Sequence, residues 1–500
     1  MASIRKTKTA TGATAVQVVR YRERKVLLLK HVGSAKSTEE IDALVQSADV
    51  WIQKNTGQLS FLSAIQQRVL PVARCTFVGV RYTIAYHTLV SVARLCGFDV
   101  LEQPLAIDLA IIRMFEPCSK RRSRELLERY FGIAYGEATL YRSLQTMDRH
   151  KEAAENIAVR CAKREFSFDC SLVFYDVTTL YFETFKEDEE ENALRKTGFS
   201  KDQKSQQPQI VVGLLVTSQG FPLGYELFKG NTFEGHTMLP VLQKFTERHG
   251  IVACTVVADA AMLSFENMEE LQQKHFSYIV GARVANLSSA TTKKITTSLP
   301  RRNGATIRLK TEHGDLVCSF STLRFRKDKH EMEKQIARAK THIISSKTGK
   351  RPKFVQATEA SFRLNKTLIE KAKKLLGIKG YVTNIPRESM NDDQVIMHYR
   401  NLWRVEQTFR MAKSDLEVRP IFHQTEEAIR SHLLICFLAL VISKYMELKT
   451  DLSLQQIIDR LKSVGEAKIV DSSSNEEFTI PSIVSDKVGI LLKKLGLHTK

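Results

Sequence analysis

The chain has 500 residues, enough for about three or four domains and a large core. Its 75 Lys and Arg against 55 Asp and Glu give a formal charge of +20, an excess that suits a polyanionic partner, nucleic acid first. Eight cysteines, at 75, 96, 118, 161, 170, 254, 318 and 436, form no CxxC pair and no metal-ligand spacing, which excludes a disulfide framework or zinc site and predicts reduced, mostly buried thiols.

The start, "MASIRKTKTATG", carries basic residues with no apolar run behind it, so no secretory signal is expected and the cytoplasm is the default compartment. Residues 15–32, "AVQVVRYRERKVLLLKHV", alternate as two strands around a basic turn. Ser37 and Glu40 are spaced as a capping box for the helix that follows, and residues 1–82 read as a small basic α+β domain. From 83 to 165 the pattern is helical. In "SKRRSRELLERYFGIAYGEATLYRSLQTM" two helical segments break near Gly132 and Gly136. That spacing permits a helix-turn-helix with Thr139, Tyr141 and Arg142 opening its recognition helix, and equally a helical hairpin with a solvated basic face.

At residue 170 the period changes. "SLVFYDV" is an apolar strand that closes near Asp176, "PQIVVGLLVT" and "FPLGYELF" are the next two, and a helix covers about 236–248. In "GNTFEGH", Asn231 and His236 read as caps of that helix rather than catalytic groups. A wholly apolar strand, "IVACTVVAD", ends on Asp259; a helix capped by Ser264 and the strand "YIVGAR" complete the series. Three strands, a helix, a buried strand, a helix and a strand is the order of an RNase H-like core, and run-on hydrophobicity marks the first and fourth strands as central. The acidic run "KEDEEEN" at 186–192 reads as a solvated loop.

The helix that should close such a core comes only at about 391–416, so residues 284–378 form an inserted α+β domain. It has strands near 305–311 and 316–325, helices near 327–343 and 365–376, and a basic set: Arg301, Arg302, Arg324, Arg326, Lys327, Lys347, Lys350, Arg351 and Lys353. That set is either a DNA face or a solvated one. Core elements resume over 379–450, where "LLICFLALVI" at 433–442 is about half the length of a bilayer span. It reads as a buried helix, and no membrane partner is expected. Residues 451–500 form a C-terminal helical region.

Within "YRNLWRVEQTFRMAK" at 399–413, an α-helical period places Leu402, Val405, Phe409 and Ala412 on one apolar stripe, with Tyr399, Glu406, Arg410 and Lys413 along its edge. Glu406 is either the partner of Arg410 at i,i+4, worth about 0.2–0.5 kcal/mol, or a ligand. Trp403 reads as core in preference to a base-stacking platform. In an RNase H-like core Asp176, Asp259 and Glu406 converge, and oxygen ligands of that kind suit Mg²⁺ and two-metal phosphodiester chemistry.

These residues also carry a family resemblance. "YDVTTLYFE", "GFSKDQK", "GLLVTSQGFPLGYELFKGNTFEGHT", "VVADAAMLS" and "VEQTFRMAKSDLEVRPIFHQTEEAIRSHL" resemble a DDE transposase of a bacterial or archaeal insertion sequence. The group has a Tyr-Arg-Glu-Lys signature on its catalytic helix. Tyr399, Glu406 and Lys413 match it; Leu402 stands at the arginine position, so Arg400 or Arg404 would supply that charge, and Ala261 stands where glycine is expected. The resemblance implies Asp176, Asp259 and Glu406 as catalytic residues and metal ligands, with two Mg²⁺ ions and Mn²⁺ able to substitute. It implies Tyr399, Arg400, Arg404, Arg410, Lys413, Lys201 and Lys204 at DNA. The implied partners are double-stranded DNA, as element ends and target, and a second copy in a homodimer. The implied activity is metal-dependent cleavage through hairpin ends, then strand transfer, in the cytoplasm at the nucleoid. A non-catalytic DNA-binding derivative and an RNase H-like nuclease without strand transfer are the alternatives.

Overall fold

The computed structural model describes residues 2–22, 25–56, 74–262, 264–312, 314–345, 351–357, 362–472 and 475–497. The chain divides into two compact units, the first comprising Met1–Thr76 with Val470–Glu477 and the second Phe77–Ile469 with Phe478–Lys500.

In the first unit, strands β1 (Ala2–Lys8), β2 (Thr14–Arg22) and β3 (Lys25–Ala35) form an antiparallel sheet in that order. One face packs on helix α1 (Thr38–Thr56), burying Val16, Val18, Ala48 and Ile52. β1 occupies the basic stretch that the sequence left without structure. The turn between β2 and β3 lies outside the described residues. Ser37 supplies the forward half of its capping box, accepting from the Glu40 amide at 3.3 Å. Strand β4 (Cys75–Arg81) leads into the second unit.

There, helices α2 (Thr83–Cys96), α3 (Pro104–Phe115), α4 (Lys120–Leu126), α5 (Glu137–Leu144) and α6 (Lys151–Phe166) share one hydrophobic cluster with the sheet that follows. Gly132, in the left-handed region at φ 75°, ends the first half of the anticipated two-helix motif. Thr139, Tyr141 and Arg142 are exposed on α5.

The sheet is built from β5 (Leu172–Tyr181), β6 (Gln209–Val216), β7 (Pro222–Lys229), β8 (Thr255–Ala258) and β9 (Ser277–Ala282), with α7 (Met238–His249) and α8 (Phe265–Gln273) between them. Ser264 caps α8, accepting from the Asn267 amide. β5 pairs antiparallel with β6 and parallel with β8, β6 pairs antiparallel with β7, and β8 pairs parallel with β9. Every residue of β6 is buried, as continuous apolar sequence requires of an interior strand.

Five strands were expected; the sheet has eight. After α9 (Ser289–Ser298), the hairpin β10 (Thr306–Thr311) and β11 (Gly314–Phe320) joins through β14 (Ile378–Thr383) to β9, all antiparallel. The inserted segment thus continues the sheet, which satisfies a ladder of backbone groups that β14 would otherwise leave open. Beyond the hairpin, α10 (Thr322–Ser345), the strand pair β12 (Val355–Ala357) and β13 (Phe362–Leu364), and α11 (Lys366–Lys374) enclose a separate small core of Met332, Ala339, Phe354, Ile369 and Leu376. Lys347 and Lys350 lie outside the described residues.

The expected helix over 391–416 is broken. α12 (Asp392–Arg400) opens on a capping box from Asn391 and Gln394, a turn follows at Asn401–Leu402, and α13 (Trp403–Arg410) runs into a π-helical turn over Met411–Asp415. α14 (Glu426–Thr450) is long and apolar enough to cross a membrane by length and composition, yet 89% of its most apolar window is buried in the protein. It is the central helix of the core. All eight cysteines are free thiols.

Candidate active site

The ladder between β5 and β8 sets the site. Leu172, Val173 and Phe174 lie opposite Thr255, Val256 and Val257, and carrying that register on by two residues places Asp176 beside Asp259. β8 ends at Ala258, whereas β5 runs on to Tyr181, still paired with β6. Asp176 is therefore mid-strand rather than at its close, at the point where its parallel neighbour has stopped. Adjacent strands lie about 4.8 Å apart, so two carboxylates share one end of the central ladder.

Burial pushes the Asp176 carboxyl up to about 6; the Lys201 ammonium and the Val177 amide, which donates to Oδ1 at 2.8 Å, oppose the rise, and the charges of Asp259 and Glu234 add to it. Lys201 Nζ lies 4.0 Å from Asp176 Oδ1 and 3.0 Å from Glu234 Oε1. Sequence reasoning passed over Glu234. In "GNTFEGH" neither Asn231 nor His236 caps α7; its N-cap is Thr237, without a side-chain cap, and His236 stacks edge-on against Phe233. The carboxylate between them was the signal to follow.

On the other flank, the Tyr399 hydroxyl donates to Asp259 Oδ1 at 3.0 Å. Burial, then the Asp259 charge, raises that hydroxyl well above its ordinary range, with Glu406 adding to it. The ring fits because residue 281 is glycine: a Cβ there would fall 2.4 Å from Tyr399 Oη. Lys379 on β14 completes the arrangement, its Nζ 4.4 Å from the Tyr399 ring centroid. Burial lowers its pKa, as do Arg324 and Arg400, while Asp259 and Glu406 work against the shift. Lys379 was also missed; its signal is a lysine inside an otherwise apolar strand, "IKGYVT". Asp259, Tyr399, Lys379 and Arg324 line an open cleft of about 490 Å³ that runs on against α10 and α11 of the inserted segment.

Glu406 is exposed on α13, which packs on β5 and β6. Among the described residues no ion pair joins it to Arg410, so the intrahelical alternative is not formed. Arg400 and Arg410 are exposed, and Arg404 lies over the Trp403 ring at 5.0 Å. Trp403 is itself 50% exposed, where a core position was expected: it lies off the buried stripe of Leu402, Val405 and Phe409. Lys413 sits in the π-helical turn, mostly buried, with Nζ 3.2 Å from Asp202 Oδ2; Arg419 binds the same carboxylate at 2.9 Å. Burial lowers the Lys413 pKa, against the pull of Asp202. Lys204 is exposed, with Nζ 5.5 Å from the Tyr181 ring centroid. Ala261 lies in a short 3₁₀ turn after Asp259 and has no left-handed backbone, so the turn does not demand glycine.

Two adjacent carboxylates, one with its carboxyl raised by burial and by its neighbours' charge, are oxygen donors short of positive charge, and that suits a hard divalent cation. Among the described residues, however, no three His, Cys, Asp or Glu side chains converge closely enough to hold a metal ion. The Asp176 and Asp259 pair fits such an ion; Glu406 stands apart from them and, among the described residues, forms no ion pair, though its charge acts on Lys379 and Tyr399.

The family described as transposase DDE domain matches residues 169–442. No curated protein matches the chain. Among solved structures, similarity is found to a piggyBac transposase synaptic complex with hairpin DNA, at 9% identity over 74% of this chain and 70% of that one, with a TM-score of 0.38. A Mos1 transposase paired-end complex with left transposon end is similar at 15% identity over 47% of this chain and 66% of that one, with a TM-score of 0.16.

Proposed function

Because the chain belongs to the transposase DDE domain family, we propose that it is a cut-and-paste transposase of a bacterial or archaeal insertion sequence, acting on the ends of its element through an RNase H-like core. The observation that carries this reading is the placement of Asp176 beside Asp259 at the end of the central parallel ladder, with an exposed Glu406 on the helix that packs against β5 and β6.

In this reading Asp176, Asp259 and Glu406 hold divalent ions, Mg²⁺ or Mn²⁺. When bound, such ions activate the attacking oxygen and stabilise the leaving one in phosphodiester displacement. The chain's own residues do the rest. Tyr399 fixes the rotamer of Asp259 through its 3.0 Å hydrogen bond, which holds one ligand ready. Arg400, Arg404 and Arg410 present charge along α12 and α13 to the DNA backbone, and Lys204 and Lys413 do so from the opposite flank. Asp202 holds Lys413 in place until a phosphate competes for it. The exposed Thr139, Tyr141 and Arg142 on α5 face element ends. Synapsis through a homodimer, hairpin ends and location at the nucleoid belong to the same proposal.

The test is cleavage of a labelled element end with Mg²⁺. Asp176→Ala, Asp259→Ala and Glu406→Ala should each abolish cleavage while leaving end binding intact. Near-normal cleavage by any one of them removes that residue from the site, and by all three removes the reading.

A further inference from the structure

Lys201 was expected to face DNA, yet its side chain turns inward. Its ammonium donates to the Val177 carbonyl at 2.7 Å, sits 3.0 Å from Glu234 Oε1 and 4.0 Å from Asp176 Oδ1. Its backbone amide donates to Thr179 Oγ1 at 3.1 Å, which pins the loop to β5. A carbonyl and two carboxylates around one ammonium form an oxygen-lined cation position made by the protein for one of its own side chains. Three carboxylates, Asp176, Glu234 and the neighbouring Asp259, share this end of the sheet; Lys201 is the ammonium beside Asp176 and Glu234, and Lys379 lies on the Asp259 side.

We propose that Lys201 is the internal counter-ion of the metal-free site, bridging Asp176 and Glu234, and that a divalent cation binding at Asp176 displaces the ammonium from that carboxylate while Glu234 retains it. A divalent ion brings twice the charge into the same oxygen environment, and the two cations repel at this spacing, so both cannot stay on Asp176. Glu234 is then a positioning residue: it gives Lys201 a second anchor and spares the chain an unpaired, half-buried ammonium once the ion arrives. The inference rests on the metal-binding reading of Asp176.

The experiment titrates the full chain, without DNA, with Mn²⁺ in an isothermal calorimeter, and runs Asp176→Ala as the control. Removing the rival cation in Lys201→Met should lower the Mn²⁺ dissociation constant by roughly tenfold, the scale of one neighbouring opposite charge, and Lys201→Arg should stay near wild type. Lys201→Met binding no more tightly than wild type overturns the proposal. A second readout needs no variant. The Lys201 side chain is 32% exposed, so its acylation by an amine-reactive ester, followed by peptide mass spectrometry, should rise on adding Mn²⁺; unchanged or slower labelling overturns the proposal as well. If wild type shows no Mn²⁺ binding that Asp176→Ala removes, the metal reading itself has failed and the counter-ion role falls with it.

Discussion

Asp176→Asn should stabilise the metal-free protein at neutral pH. An aspartate ordinarily titrates near 4; this one titrates at about 6 in the fold, chiefly because it is buried. The folded state therefore holds a proton that the unfolded state has released, and stability falls as pH rises between those values. Below about pH 4 both states are protonated and nothing is lost; above about pH 6 the full cost of an ionised, buried carboxylate is present. A gap of about two pH units corresponds to about 3 kcal/mol. With the side chain only 16% exposed, solvent screens little of it. The amide keeps the shape and drops the charge. In chelator, Asp176→Asn should exceed wild type by about 1–3 kcal/mol at neutral pH and lose that advantage below about pH 4. Added Mg²⁺ should then raise the melting temperature of wild type alone. Calorimetric melts across pH measure both. A variant no more stable than wild type at neutral pH, or an advantage that persists into acid, refutes the argument.

Gly281→Ala should force the Tyr399 ring off Asp259 and cost about 1–3 kcal/mol by overpacking; in a Tyr399→Ala background the same change should cost much less, a coupling that a double-mutant cycle reads directly. Lys120 is buried beside His432 at 3.2 Å, and burial brings its pKa down to about 7. The unfolded chain thus holds a proton there that the fold sheds, so stability should rise with pH from about 7 towards 10, and Lys120→Met should flatten that rise in urea titrations. Lys413→Ala should slow single-turnover cleavage of a pre-bound end without repair by extra Mg²⁺, and Lys413→Arg should slow it less. A wild-type rate for Lys413→Ala would dismiss the phosphate contact.

The strands from 172 to 282 were legible because each is an apolar run bounded by turn residues, and their order placed Asp176 and Asp259 on neighbouring strands. Sequence could not show that β5 outruns β8, since strand ends depend on a partner's length and not on local residues. The single helix read through 399–413 failed for a related reason. Leu402 in the break and Val405 beyond it are both buried, so the apolar period continues across a turn that interrupts the backbone. The π-helical turn is equally silent: Leu416 N bonds to Met411 O at 3.0 Å, five residues back, and the wider turn carries Lys413 out of the line that a 100° period draws from Glu406. Glu234 and Lys379 reach the site through tertiary pairing alone.

The continuity of the eight-stranded sheet bears on how the chain can be cut down. A catalytic fragment trimmed of residues 284–378 would end its sheet at β14, whose outer ladder, Ile378 to Thr383, is occupied by β11. Stripped of that partner, the strand that carries Lys379 would present unpaired amides and carbonyls to solvent, a template for edge-to-edge association. A minimal core for biochemistry must therefore keep the β10–β11 hairpin, and only the helical portion from α10 to α11 is a place where the segment can be shortened.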